Sequence, residues 1–171
     1  MRDAPVEAPI GAAGRGRGRA VPPGRILAEL QGLDPDLREE AYYSERALFY
    51  NPGGAAPLGV IFCAIKDHDG PNDARSRLSR PGVFRLAFQL SRDEYLRRFG
   101  SVPSRPPKGA FVVVAEDVSA LDVLTPHPVY AWMRWVQILR PTRASLDELT
   151  PLLEASLADV RLRWRRRKAG A

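Results

Sequence analysis

The chain has 171 residues, 44% hydrophobic and 27% charged, which is the composition of one soluble globular domain. No apolar run approaches the roughly 20 residues that span a bilayer, and the N-terminus lacks the apolar core of a secretory signal, so we expect a cytoplasmic protein with no membrane partner. Cys63 is the only cysteine, which excludes an internal disulfide and a multi-thiolate metal site.

The basic residues are concentrated at the two ends of the chain. The formal net charge is +6, but residues 1–25 carry +3 and residues 161–171 carry +6, which leaves −3 for residues 26–160. The sequence therefore does not predict a basic patch on the folded body. Residues 1–23, rich in Gly, Ala, Pro and Arg, are predicted to be disordered, residues 24–164 to form one domain, and residues 165–171 to form a basic tail.

The first half of the domain shows a helix and then strands. "PGRILAELQG" predicts a short helix that ends at Gly32 and buries Ile26, Leu27 and Leu30. "ERALFYN", "LGVIFCAIK" and "VFRLAFQL" predict strands, and the second is apolar on both faces, so we expect it to be central with Cys63 as a buried, inert thiol. "DHDGPNDARSRLSRPG" predicts a long polar loop.

The second half begins with "SRDEYLRRFG", in which Ser91 and Glu94 have capping-box spacing and Gly100 is placed to end the helix. "AFVVV" predicts a short strand, "SALDVL" one or two helical turns, and "VYAWMRWVQIL" a long strand with Tyr130 and Trp132 on the same face.

The last predicted helix is Leu-rich and begins at a second capping-box spacing, Ser145 with Glu148. Pro151 should kink or split it. The element order predicts an α+β single domain, with an antiparallel sheet of about four to five strands packed against helices.

Three stretches in the same order, "FCAIKDHDGPND", "RPGVFRLAFQLSRDEYLRRFG" and "TPHPVYAWMRWVQILRPTRASLDELTPLLEAS", resemble an uncharacterised bacterial family, domain-of-unknown-function family 6194. The last stretch is also similar, more distantly, to the end of YjbR/MmcQ-like proteins. These resemblances imply a compact YjbR/MmcQ-like α+β fold and no established reaction. A DNA-binding role has been proposed for YjbR/MmcQ-like proteins.

The polar loop offers a weak divalent-ion site at Asp67, Asp69 and Asp73, but an EF-hand spacing would require Gly and Glu where Asn72 and Leu78 stand. We therefore interpret it as a plain loop and predict no metal and no cofactor.

His127 is the better candidate for a ligand contact, because Pro126 and Pro128 hold it beside a buried strand. The alternative is a structural histidine bonded to the backbone. No nucleophile–base motif accompanies it, so the sequence supplies no catalytic residue and no mechanism for an enzyme. The candidate ligand-binding residues are His127, Tyr130, Trp132, Lys66 and Arg85.

The arginine-rich ends could grip phosphates, since arginine beside an aromatic ring is typical of sequence-tolerant nucleic-acid contacts. They could equally be a solvated segment and a solvated helix end. The candidate nucleic-acid residues are Arg15, Arg17, Arg19, Arg163, Arg165, Arg166 and Arg167. We thus expect a non-catalytic module with a small-ligand or protein pocket near His127 and the strand that carries Trp132. The alternative is a nucleic-acid-binding protein that uses the arginine-rich ends, the sheet face or both.

Overall fold

Six strands form one antiparallel sheet in the computed structural model, which describes residues 7–11 and 18–170. The strands are β1 (Leu37–Tyr42), β2 (Glu45–Tyr50), β3 (Val60–Lys66), β4 (Arg85–Gln89), β5 (Leu124–Pro126) and β6 (Trp135–Leu139). Their order across the sheet is β1-β2-β3-β4-β6-β5. The apolar strand β3 is therefore central, as its sequence predicts.

Three helices accompany the sheet: α1 (Pro23–Gln31), α2 (Arg92–Phe99) and α3 (Arg143–Ala169). The long helix α3 contacts β2, β3 and β4 on one face of the sheet. Burial of its apolar side against that face forms the main core, because both surfaces leave water together. The buried residues of this interface include Leu48, Cys63, Ile65, Phe88 and Val136 from the sheet and Leu149, Leu153 and Val160 from α3.

The opposite face of the sheet is covered by chain segments between strands, and we call it the loop-covered face. It is defined by residues that pair across β3, β4 and β6: Lys66 with Arg85, and Ala64 with Ala87, which in turn pairs with Gln137. Gln137 is buried there and holds the covering segments, donating to Val118 O (2.8 Å) and accepting from Ser76 Oγ (2.9 Å). This face carries polar groups that the α3 face lacks, so it is where a site can be built.

The α+β prediction is confirmed, and so are the helices at α1 and α2 and the strands β2, β3 and β4. Ser91 Oγ accepts from Glu94 N (3.2 Å), and Gly100 ends α2 with a positive φ of 75°. Cys63 is fully buried, and burial raises the pKa of its thiol, consistent with an inert side chain.

The predicted four to five strands were too few, because β1 and β5 lack the usual sequence pattern. In β1 only Leu37 is buried, since the strand lies at the edge of the sheet and exposes its charged residues. β5 has three residues and ends in a proline, Pro126. Neither strand shows the apolar alternation that identifies a half-buried strand.

Two short elements predicted before β5 were wrong. "AFVVV" has no strand: Phe111 and Val113 are exposed, and the carbonyl of Val112 accepts from Arg75 Nη1 (2.6 Å) instead of a neighbouring strand. "SALDVL" has no helix, because Asp122 N donates to Leu139 O (2.7 Å) and directs the chain into the sheet edge.

The long strand predicted for "VYAWMRWVQIL" is also wrong in its first half. A short 3-10 helix occupies Ala131–Met133, and Arg134 follows in a left-handed conformation with φ 65°. Strand β6 begins only at Trp135. Tyr130 and Trp132 therefore lie on a turn, and the strand periodicity does not apply to them.

Helix α3 begins one turn earlier than predicted. Thr142, not Ser145, is its N-cap, and Thr142 Oγ1 accepts from Ser145 N (3.3 Å). Pro151 lies on the exposed side of the helix, which runs through it without a split. The solvated side of a helix tolerates the missing N–H better than its buried side does.

Described residues near the N-terminal end of the chain contribute to the core. Ile10 and Val21, from the segment expected to be disordered, are buried, and Ala20 bridges to Thr142. At the other end α3 continues to Ala169, so the described part of the basic tail extends the helix. The boundaries of the domain stay a prediction.

Candidate ligand-binding site

Two cations lie side by side on the loop-covered face. Lys66 at the end of β3 pairs with Arg85 at the start of β4, and the Arg85 side chain is 0% exposed. Two buried cations in neighbouring strands repel each other and lose their hydration, so the fold must supply carboxylates beside them.

Asp73 and Glu45 are those carboxylates. Asp73 receives a two-bond contact from Arg85, with Nη1 to Oδ1 at 2.9 Å and Nη2 to Oδ2 at 2.7 Å, and its Oδ2 lies 3.1 Å from Lys66 Nζ. Glu45 Oε1 lies 3.3 Å from Arg85 Nη2 and 3.6 Å from Lys66 Nζ. We call these four residues the charged cluster. Its two positive and two negative charges balance.

Burial alone would raise the pKa of Asp73, because it penalises the carboxylate. The hydrogen bonds and the charge of Arg85, together with the hydrogen bond from Lys66, outweigh burial and lower this pKa to about 2. Asp73 is therefore ionised at neutral pH, and the cluster is held together by charge-assisted hydrogen bonds.

The polar loop holds Asp73 in place. Gly70 and Asp73 exchange two backbone hydrogen bonds of 3.1 Å, and Asp69 accepts from the backbone N–H of Leu78 (2.7 Å). A Cβ on Gly70 would lie 3.2 Å from Lys66 Nζ, so the loop passes closely over that ammonium group. The loop thus holds the Asp73 carboxylate beside Lys66 and Arg85. Its backbone hydrogen bonds are those of a turn, which agrees with its interpretation as a plain loop.

His127 joins the cluster from the other side. It is 2% exposed, and its Nδ1 accepts from the backbone N–H groups of Val129 (3.1 Å) and Tyr130 (3.2 Å). A nitrogen that accepts two hydrogen bonds carries no proton, so the neutral ring has its proton on Nε2. Burial and the nearby Arg85 charge lower the pKa of His127 well below its usual value, and Asp73 offsets this only in part.

Tyr130 closes the site on its exposed side. Its ring centroid lies 5.0 Å from that of His127, and 43% of the residue is exposed. Burial raises the pKa of Tyr130, and the carboxylates of Glu45 and Asp73 raise it further. The phenol therefore stays protonated at neutral pH and can donate a hydrogen bond.

The site contains more hydrogen-bond donors than acceptors. Arg85 Nε is buried and has no partner among the residues that the structure describes. The Nε2–H of His127 has no acceptor among those residues either, but it is not one of the fully buried atoms left without a partner and so keeps some contact with solvent. A cleft of about 320 Å³ is lined by Asn72, Pro128 and Val129, chain neighbours of Asp73 and His127, although neither of those two residues lines it. The arrangement can hold a small molecule that presents acceptor oxygens.

The candidate site lies in the part of the chain that matches a known protein family. Residues 22–169 match the model of a family of unknown function, DUF6194. The chain belongs to DUF6194. No curated protein and no solved structure matches it. The matched residues include every member of the charged cluster together with His127 and Tyr130, so the site lies in the part of the chain that defines the DUF6194 match.

Four of the five predicted ligand-binding residues of this DUF6194 protein come together: His127, Tyr130, Lys66 and Arg85. Trp132 lies elsewhere, since it packs against the main core with the Arg105 guanidinium 4.8 Å from its ring centroid. The sequence did not single out Asp73 or Glu45 as partners of the two cations.

The predicted nucleic-acid residues of the DUF6194 chain are dispersed. Arg15 and Arg17 lie outside the described residues, and Arg19 is exposed. On α3, Arg163 is half-buried, whereas Arg165, Arg166 and Arg167 are exposed. Arg167 Nη1 donates to Gly59 O (3.3 Å), so this side chain also connects α3 to the loop that precedes β3.

The rest of the DUF6194 structure offers neither a metal site nor a membrane-spanning helix among its described residues. Within residues 7–11 and 18–170, no group of three His, Cys, Asp or Glu side chains could hold a metal ion, and no described helix has the length and apolar character needed to cross a bilayer. A larger cavity of about 720 Å³ lies beside β5, but its charged lining residues are Glu7, Arg98, Glu116 and Asp117, and Arg98 is already paired with Glu7 and Glu94.

Proposed function

We propose that this DUF6194 protein is a non-catalytic binding module, which holds a small molecule with carboxylate or carbonyl oxygens beside His127 and the charged cluster. The observation that carries the proposal is the pair of donors without acceptors, Arg85 Nε and His127 Nε2–H. The buried Arg85 Nε costs about 1–3 kcal/mol because it lacks an acceptor, whereas the Nε2–H of His127 keeps some contact with solvent and can donate to a ligand oxygen.

The balanced charge of the cluster restricts the ligand further. Asp73 and Glu45 already neutralise Lys66 and Arg85, so the site does not call for a highly charged anion. A neutral or singly charged ligand gains hydrogen bonds there without leaving an ion unpaired.

Binding is favoured over catalysis by the way His127 is held. In a catalytic triad the Nδ1–H of the histidine donates to an acid, whereas Nδ1 of His127 accepts from two amides. The hydroxyl of Ser76, a potential nucleophile on this face, is bonded to Gln137, and Cys63 lies on the α3 face. A YjbR/MmcQ-like architecture, a cytoplasmic location and a protein as the bound partner are further proposals that rest on the sequence.

Replacing His127 with asparagine should weaken ligand binding and preserve the fold. The amide oxygen of asparagine can take the place of Nδ1 as the acceptor for Val129 and Tyr130, but nothing replaces the Nε2–H donor. We expect the affinity for the best ligand of a panel of acetate, lactate and pyruvate, each singly charged at neutral pH, to fall about tenfold or more when measured by calorimetry, the cost of one charge-assisted hydrogen bond.

The matched control is His127→Gln. Its side chain reaches the Nε2 position but leaves the backbone N–H groups of Val129 and Tyr130 without an acceptor. It should lower the free energy of unfolding by about 1–3 kcal/mol. If the wild-type chain binds no member of the panel at millimolar concentration, or if the His127→Asn variant binds as tightly as the wild type, the proposed site is wrong.

A further inference from the structure

A second cleft, separate from the His127 site, is lined mainly by arginines. It has a volume of about 310 Å³ and lies between the end of β4, the start of α2, the turn before β6 and the last third of α3. Its residues are Gln89, Leu90, Ser91, Arg92, Arg134, Asp159, Leu162, Arg163 and Arg166. Four guanidinium groups thus border one cleft with a single carboxylate, that of Asp159.

Several other arginines of the chain are paired with carboxylates, and within the described part of the chain these four are not. Arg46, Arg85, Arg98, Arg143 and Arg161 each form an ion pair with an Asp or Glu. Among the residues that the structure describes, none of the four arginines of the cleft has such a partner. The one side-chain hydrogen bond in the set runs from Arg134 Nε to Leu90 O (3.3 Å), which leaves the outer nitrogens of that guanidinium available.

The cations of the cleft are close enough to influence one another. Arg163 is half-buried, and burial lowers its pKa; Asp159 raises this pKa, and the charge of Arg134 lowers it again. An excess of like charge in a partly desolvated cleft destabilises the fold unless a counter-charge occupies it. An anion in the cleft would provide that counter-charge.

The start of α2 adds to the positive potential. Ser91 and Arg92, at the N-terminal end of this eight-residue helix, line the cleft, and the positive end of a helix dipole favours anions. Of the two acidic residues in the first turn, Glu94 is engaged by Arg97 and Arg98, and Asp93 does not line the cleft and forms no ion pair with its arginines among the described residues.

We propose that this arginine cleft binds a phosphate group. The planar guanidinium fork matches two phosphate oxygens at once, and arginines from three separate elements can surround a tetrahedral dianion. The volume suits one phosphate or a pyrophosphate. Arg163 and Arg166 then act together with Arg92 and Arg134 at one site, and Arg165 and Arg167 do not take part.

The test is calorimetric titration of the full chain with inorganic pyrophosphate at low ionic strength. The wild-type chain should bind, and the double variant Arg92→Gln/Arg163→Gln should bind at least about tenfold more weakly, because two charge-assisted contacts are lost. The control is Arg165→Gln/Arg167→Gln, which removes the same charge outside the cleft and should bind within about twofold of wild type. Thermal melting establishes that all three proteins are folded.

Absence of binding by the wild-type chain, or an equal loss in both double variants, would overturn the proposal. The His127→Asn variant should bind pyrophosphate as the wild type does, so failure of this site and failure of the His127 site are distinguishable. Anisotropy with a labelled single-stranded oligonucleotide then identifies the source of the phosphate. Binding weakened only in the cleft variant indicates nucleic acid, and binding equal in all three proteins indicates a small phosphoester.

Discussion

Replacing Asp73 with alanine should lower the free energy of unfolding by about 3–5 kcal/mol, because it leaves the fully buried Arg85 guanidinium without its two-bond partner. Lys66 would lose its nearer carboxylate as well. Urea denaturation at neutral pH measures this change. The control is Asp67→Ala in the same loop, whose side chain is 76% exposed and whose loss should change stability by less than about 0.5 kcal/mol.

Asp73 should also make the free energy of unfolding fall at acid pH. The folded-state pKa of Asp73, about 2, lies below its ordinary value of 3.8, so the stabilisation is fully present above that ordinary value and is lost as the pH falls through 2. The difference corresponds to about 2 kcal/mol. The Asp73→Ala variant should lack this part of the acid transition. A variant as stable as wild type, with an unchanged acid profile, would show that the cluster does not hold the loop to the sheet.

Replacing Trp164 with alanine should lower the free energy of unfolding by about 3–5 kcal/mol, as expected for a large aromatic side chain removed from a packed site. The residue is 7% exposed, and its ring meets that of Tyr50 edge to face with the centroids 6.2 Å apart. Lys168 Nζ lies 5.1 Å from the same ring centroid, so the last turn of α3 packs over the indole.

The neighbouring substitution Arg165→Ala is the control for Trp164, since this exposed side chain should contribute less than about 0.5 kcal/mol. The free energies of unfolding of both variants, measured by chemical denaturation, distinguish a packed helix end from a free basic tail. Equal, small effects would mean that residues 164–170 are not packed and that the basic tail is an independent segment.

The elements that could be predicted from the sequence are those with strong apolar periodicity. β3 has continuous apolar residues, and α1 buries Ile26, Leu27 and Leu30 in a helical pattern. The strand predicted across Tyr130 failed for a physical reason: Arg134 takes a left-handed conformation, which interrupts the extended chain but leaves no mark in an alternation of residue types.

The charged cluster was only half predictable. Lys66 and Arg85 were named, but their carboxylate partners depend on the strand register, which pairs the two cations across β3 and β4. Given that pairing, the alanines beside them, Ala64 and Ala87, show that this face is packed, and two packed cations require acids. The connecting loop, with Asp73, is the nearest source of one.

The arginine cleft shows a different limit of the sequence. Net charge assigned to continuous segments predicts no basic patch on the body, whereas the fold gathers Arg92, Arg134, Arg163 and Arg166 from segments that are far apart in the chain. Only the packing of α2 and α3 beside the turn before β6 brings them together.

The proposed binding site is tested most directly by side-chain ¹⁵N NMR of the two histidines in the full chain, recorded while acetate, lactate and pyruvate are added. We predict that His127 is neutral with its proton on Nε2, and that at least one of the three acids shifts its Nε2 resonance. His68, whose Nδ1 contacts Asp67 (2.8 Å) on an exposed loop, should not respond. A proton on Nδ1 of His127, or an Nε2 resonance that none of the three acids shifts, would contradict the account.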